Sequence, residues 1–321
     1  HRDLHSFPTR RSSDLRSNGL PASMLAAVWE EYYEGRIGVL FCDGSWVLYD
    51  RQGKVVESAI RQTPLVGMLW VKAVGRYFYV MDSDRLWLVD DKGQYSDTGI
   101  KRSSTNCMWM SDDGSCLATG ATRWIHHFLR GSSPKTYVKV YSLSVFREKD
   151  QTKVKSSVVK SLTVRGRESG IGLVGDEGIM VFLNEGFYLD LRDGARKHKL
   201  NDGKYSWRRE RVWSFGEWLG GWVVAEKSVY NGRNDDCYFI PRVDRPVRQW
   251  RYRKSGPIFH RDFAASSLCF ALLTGPNGKA KWVDVPGTKG AFDLSRDGDN
   301  FVCFSLLGVP YKAVPIPEEV R

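Results

Sequence analysis

A weak repeat of about 40 residues runs from Ala26 to the C-terminus, and it constrains the fold more than any other feature of this chain. Few letters recur; a rhythm does. A short apolar run leads into a turn rich in Asp and Gly, then into a second apolar run and another turn. Residues 37–60 (IGVLFCDGSWVLYDRQGKVVESAI), 76–100 and 178–200 all follow it. Runs of about four to eight β-branched and aromatic residues between turn clusters read as strands. Four strands per unit at this period are the pattern of a β-propeller. Twelve Trp, fourteen Tyr and fifteen Phe suit an architecture whose sheet faces pack on large flat side chains.

Taking the second strand of each unit as the anchor gives seven units, starting near Ile37, Arg76, Ser115, Gly178, Gly221, Ser267 and Asn300. Their spacings are 39, 39, 63, 43, 46 and 33. The long spacing contains a polar, Lys-rich insertion at about 147–160, which reads as a protruding loop or an extended hairpin. The expected fold is therefore all-β, a seven-bladed β-propeller with four antiparallel strands per blade. Degenerate repeats leave six or eight blades open. Unit seven supplies only three strands, so the last blade is expected to be one strand short or to be completed by residues near 16–25. Segment 21–35 reads equally as helix, with Pro21 in a first turn and Gly35 as a cap, or as strand.

The clearest segment is 107–121. Within it, Ser111-Asp112-Asp113-Gly114-Ser115-Cys116-Leu117-Ala118-Thr119-Gly120 resembles the S-x-D-G-x-x-L-A-[ST]-G strand–turn–strand core of WD40-type blades, and 294–306 is a weaker echo. Asp-Gly suits the tight turn because Gly takes positive φ at no steric cost. No unit ends in Trp-Asp and none opens with Gly-His, so the resemblance is to a WD40-like propeller and not to a standard WD40 protein. It implies a rigid toroid that binds other macromolecules. Residues 5–15 (HSFPTRRSSDL) resemble the translation of a common short-read sequencing adapter. Residues 1–15 are accordingly read as non-native and 16–321 as a single propeller domain.

The chain carries a net charge of +11, of which the first fifteen residues supply one unit. No apolar run approaches the roughly 20 residues needed to span a bilayer, so no membrane partner is expected. The six cysteines (Cys42, Cys107, Cys116, Cys237, Cys269, Cys303) form no C-x-x-C pair and have no nearby His at zinc spacing. They read as reduced thiols in a cytoplasmic protein, with Cys116, Cys269 and Cys303 buried. His126 and His127 are adjacent, so in a strand they would face opposite ways and could not share a metal. His198 and His260 stand alone. The acidic pairs (Glu30-Glu31, Asp90-Asp91, Asp112-Asp113, Asp235-Asp236) sit at turns or strand ends, where Asp serves local backbone hydrogen bonds. No nucleophile elbow, P-loop or H-E-x-x-H occurs, and no cofactor is expected.

The remaining signal is basic and aromatic. Residues 204–213 (KYSWRRERVW) and 242–254 (RVDRPVRQWRYRK) interleave Arg with Trp and Tyr. Arg forks bind carboxylate or phosphate, and aromatic rings offer anchoring faces. Trp207, Arg208, Arg209, Arg211, Trp250, Arg251 and Arg253 are therefore the candidate partner-binding residues. Both segments are read as lying near blade boundaries on one side of units four to six. Strand alternation places Arg251 and Arg253 opposite Trp250 and Tyr252. The expected function is a non-catalytic scaffold for protein–protein interaction with an acidic partner. The alternatives are a hydrolase-like or ligand-binding propeller with a site at the channel mouth, and nucleic-acid binding through the basic aromatic patch.

Overall fold

The structure, a computed structural model, describes residues 23–165 apart from 61–64, 66–67, 103–106, 112 and 128–130; strand backbone alone between 168 and 284; and 285–318 apart from 286 and 289. Side chains are described through Thr163, those of Cys107, Trp109 and 126–131 excepted, and again from Val285.

Among the described residues, regular structure consists of seven antiparallel sheets in chain order, and each connects its strands as neighbours. The first holds β1 (Leu25–Val28), β2 (Arg36–Phe41), β3 (Trp46–Asp50) and β4 (Val55–Ala59). The second holds β5 (Trp70–Val74), β6 (Tyr77–Met81), β7 (Arg85–Val89) and β8 (Tyr95–Lys101). The third is the largest, with β9 (Cys107–Met110), β10 (Cys116–His127), β11 (Gly131–Glu148) and β12 (Gln151–Arg165). The fourth comprises β13 (Glu168–Val174), β14 (Gly178–Leu183), β15 (Phe187–Asp190) and β16 (Arg196–Lys199). The fifth comprises β17 (Val212–Phe215), β18 (Trp222–Ala225), β19 (Ser228–Asn231) and β20 (Cys237–Phe239). The sixth comprises β21 (Gln249–Arg253), β22 (Gly256–His260), β23 (Leu268–Leu273) and β24 (Ala280–Val285). The last has three strands, β25 (Asp293–Asp297), β26 (Asn300–Phe304) and β27 (Pro310–Pro315).

Six of the seven expected anchors coincide with second strands to within about one residue. In the sixth unit the expected anchor at Ser267 precedes the third strand, because RQWRYR reads as a polar outer strand and is in fact β21, the first. The ambiguous 21–35 segment is strand at Leu25–Val28. Several first strands meet neighbouring sheets: β1 packs against β5 and β25, and β13 against β9 and β17. The two ends of the chain join there. Leu25 N–H donates to Leu306 O, Tyr32 N–H to Arg296 O and Arg296 N–H to Glu30 O, all within 2.9 Å. The last sheet keeps three strands among the described residues, and 16–22 lie outside them.

Burial follows from this stacking. Trp46, Tyr49, Phe41, Phe78 and Phe304 are almost wholly buried where the first, second and last sheets meet. Tyr79, Leu86, Leu88, Leu117 and Leu143 fill the space between the second and third. Backbones approach closely in the first core. A Cβ at Gly38 would stand 2.4 Å from the Trp29 ring, which itself stacks on Phe78.

The long spacing in the third unit is taken up by strand. β11 and β12 pair from Glu148↔Gln151 back to Lys135↔Arg165, with a bulge at Val140/Tyr141. Their turn is Lys149-Asp150, both in the left-handed region (φ 48 and 64), which matches the twist of a hairpin. The tip lies across β8 of the preceding sheet. Ser96 Oγ donates to Thr152 O, and Ser156 Oγ to Thr98 O at 2.6 Å. Thr152 Oγ1 donates to the buried Asp90 carboxylate at 2.9 Å, and Arg147 reaches Asp91 at 3.0 Å.

Candidate interaction surface

The turn aspartates hold their own turns. Asp43 accepts from Ser45 N–H, Asp50 from Gln52 and Lys54, and Asp82 from Asp84 and Arg85. Asp90 accepts from Lys92 and Gln94, and within β8 Asp97 accepts from Gly99. Asp82 also takes the Trp87 indole N–H at 2.7 Å. In the WD40-like turn, Asp113 Oδ1 accepts from Ser111 Oγ at 2.6 Å and from both the amide and hydroxyl of Ser115. Burial pushes the Asp113 carboxyl up, but these hydrogen bonds outweigh it and hold it below the usual carboxylate range. Ser111 Oγ in turn receives the Cys116 amide, and Gly114 supplies the positive φ of 70°. The turn chemistry expected from the sequence is therefore present, and it is structural.

Of the cysteines with described side chains, Cys42, Cys116 and Cys303 are free thiols. Cys303 is fully buried, and that burial raises its pKa to about 11. Cys116 is only partly buried, contrary to expectation, because it opens β10 at the rim of the Asp113 turn. Cys107, Cys237 and Cys269 lie on β9, β20 and β23, and their own side chains are not among those described. Among the described residues, no group of three His, Cys, Asp or Glu side chains is placed to hold a metal ion. None of the described helical residues forms a segment long and apolar enough to cross a membrane.

The candidate partner-binding residues divide. Trp207, Arg208, Arg209 and Arg211 lie outside the described residues. Trp250, Arg251 and Arg253 share β21, with Trp250 paired to Phe259, Arg251 to Ile258 and Arg253 to Gly256. This strand holds the first position in its sheet, as β1, β5, β9, β13 and β17 do in theirs.

A second basic surface escaped the sequence reading. Residues 115–165, the core of the third sheet, contain ten Lys and Arg against two acidic residues, a net +8 of the chain's +11. Between Gly114 and Glu148 there is no Asp or Glu at all, and that gap was the available signal. Beyond Arg123↔Lys135, β10 and β11 continue as a two-stranded ribbon to His127↔Gly131. Trp124 stands 56% exposed on one face of it. Arg123, Lys135, Tyr137 and Lys139 share the other face by strand alternation and register. The Arg123 guanidinium sits 5.7 Å over the Tyr137 ring, within cation–π range. Thr122 and Thr136 join their hydroxyls at 2.9 Å across the strands and fix this register.

No protein-family model and no curated protein sequence matches the chain. Among solved structures it is similar to the AfRom2 CNH domain, at 8% identity and a TM-score of 0.51, over 88% of this chain and 92% of that one. It is also similar to the C-terminal WD40 domain of Sif2, at 13% identity and a TM-score of 0.46, over 91% of this chain and 81% of that one. Such distant likeness speaks to the fold. The chain has a β-propeller fold.

Proposed function

We propose that this protein is a non-catalytic β-propeller platform for other proteins, with an acidic partner held by Trp207, Arg208, Arg209, Arg211, Trp250, Arg251 and Arg253. One observation supports this over a channel-mouth hydrolase. The aspartates Asp43, Asp50, Asp82, Asp90 and Asp113 are committed to backbone hydrogen bonds in their own turns, so these carboxylates serve local structure. The positive charge, by contrast, gathers on aromatic-bearing strands, where Trp, Tyr and Arg are the side chains that concentrate binding energy.

The test reverses Arg208, Arg209, Arg251 and Arg253 to Glu and measures capture of acidic proteins from extracts of the source cells. Capture is expected to disappear while the thermal midpoint moves by no more than about 2 °C. Unchanged capture removes the site. Turnover of a glycoside or ester substrate by the wild-type chain removes the platform reading itself.

A further inference from the structure

We infer that the face of the third sheet bearing Arg123, Lys135, Tyr137 and Lys139 is a docking surface for an acidic, extended segment of a partner protein. The inference rests on the platform reading above and adds a surface remote in sequence from 204–254.

The first ground is charge. Lys139, Arg123 and the half-buried Lys135 stand in a stretch without a carboxylate of its own. Among the described residues none of the three has an ion-pair partner. The neighbouring Arg147 and Lys153, by contrast, are engaged by Asp91 and Glu148. Like charges gathered on one face with no internal counter-charge favour an anionic ligand.

The second ground is spacing. Residues two apart on a strand point to the same face, about 6.6 Å from one another. Lys135 and Lys139 are therefore about 13 Å apart with Tyr137 between them. An extended peptide presents carboxylates at i and i+4 with the same separation, and the side chain at i+2 then meets the ring of Tyr137.

The third ground decides between anions. A single-stranded nucleic acid binds such a surface by stacking bases on open aromatic faces. Here the Arg123 guanidinium already sits 5.7 Å from the Tyr137 ring centroid, where a stacked base would lie. The guanidinium fork beside the ring can donate two parallel hydrogen bonds to a carboxylate. The surface is built for carboxylates.

The experiment measures binding of a short fluorescent poly-glutamate peptide, and in parallel of oligothymidylate, to the full chain at physiological salt. Reversing Arg123, Lys135 and Lys139 to Glu is expected to weaken the peptide about tenfold or more. Reversing the exposed Lys54, Lys92 and Lys312 to Glu makes the same change in net charge elsewhere. It is expected to cost less than about threefold, since screening confines distant charges. Equal losses in the two variants, or no loss in the first, overturn the surface. Tighter binding of oligothymidylate that the first variant abolishes overturns the acidic-peptide occupant. Should the triple reversal not fold, Arg123→Gln with Lys139→Gln makes the same comparison against Lys54→Gln with Lys92→Gln. Loss of partner capture in the Arg208, Arg209, Arg251 and Arg253 variant, with no loss here, leaves the platform reading standing and removes this surface alone.

Discussion

Gly38 shows how tightly single residues are bound into this fold. It lies in β2 opposite Leu48, and its carbonyl accepts the Trp29 amide at 3.0 Å. The missing Cβ leaves room for the Trp29 indole, which lies edge-on to Tyr33 and stacked on Phe78. A methyl group there must displace a ring that is 98% buried in a close-packed core. Gly38→Ala should therefore cost about 1–3 kcal/mol by overpacking, read as a lower denaturant midpoint with unchanged slope. A variant as stable as wild type would mean that Trp29 is placed differently. The Asp113 network is the second residue-scale fixture. Its oxygen gathers three donors, and the adjoining Gly114 lies against Tyr79, so the motif that resembles WD40 blades couples one turn to the sheet before it.

Among the elements, the β11–β12 hairpin is the most distinctive, because its tip straps the third sheet to the second. Two of its contacts have unequal worth. Arg147–Asp91 joins an exposed guanidinium to a carboxylate near the surface, and such pairs contribute about 0–1 kcal/mol. Thr152 is buried and donates to Asp90, whose remaining donors are turn amides. Thr152→Val keeps the shape and removes the donor from a buried carboxylate, at about 1–3 kcal/mol. Thermal melts should accordingly rank Thr152→Val well below Arg147→Ala; the reverse order would show that the strap is held from its rim. The same element marks what the sequence could convey. Alternation and Asp-Gly turns made the second strands legible, since each is a short apolar run between two turns. β21 was misplaced because its polar alternation, QWRYR, looks like an outer strand and only pairing with β22 reveals it as a first one. The basic face of β10 and β11 was missed for a related reason. Its cations are spread singly over two strands and only register brings Arg123, Lys135 and Lys139 together.

For the whole molecule, the sheets divide the labour. The first, second and last share a core of large aromatics that ties the two ends of the chain together. The third carries most of the excess charge outward on strands longer than the propeller needs. A stable ring with long charged edges is a shape for presenting surfaces to other macromolecules, although the fold alone does not dictate that use. Zero-length carbodiimide cross-linking of the intact protein to a short poly-glutamate peptide tests the central claim most directly, since it joins only lysines and carboxylates already in contact. Mapped by mass spectrometry, adducts should concentrate at Lys204 and Lys254, which flank the two arginine–tryptophan segments, and at Lys135 and Lys139 on the third sheet. Adducts spread evenly over these and the remote Lys54, Lys92 and Lys312 would contradict the account, leaving a basic propeller with no acidic-partner site.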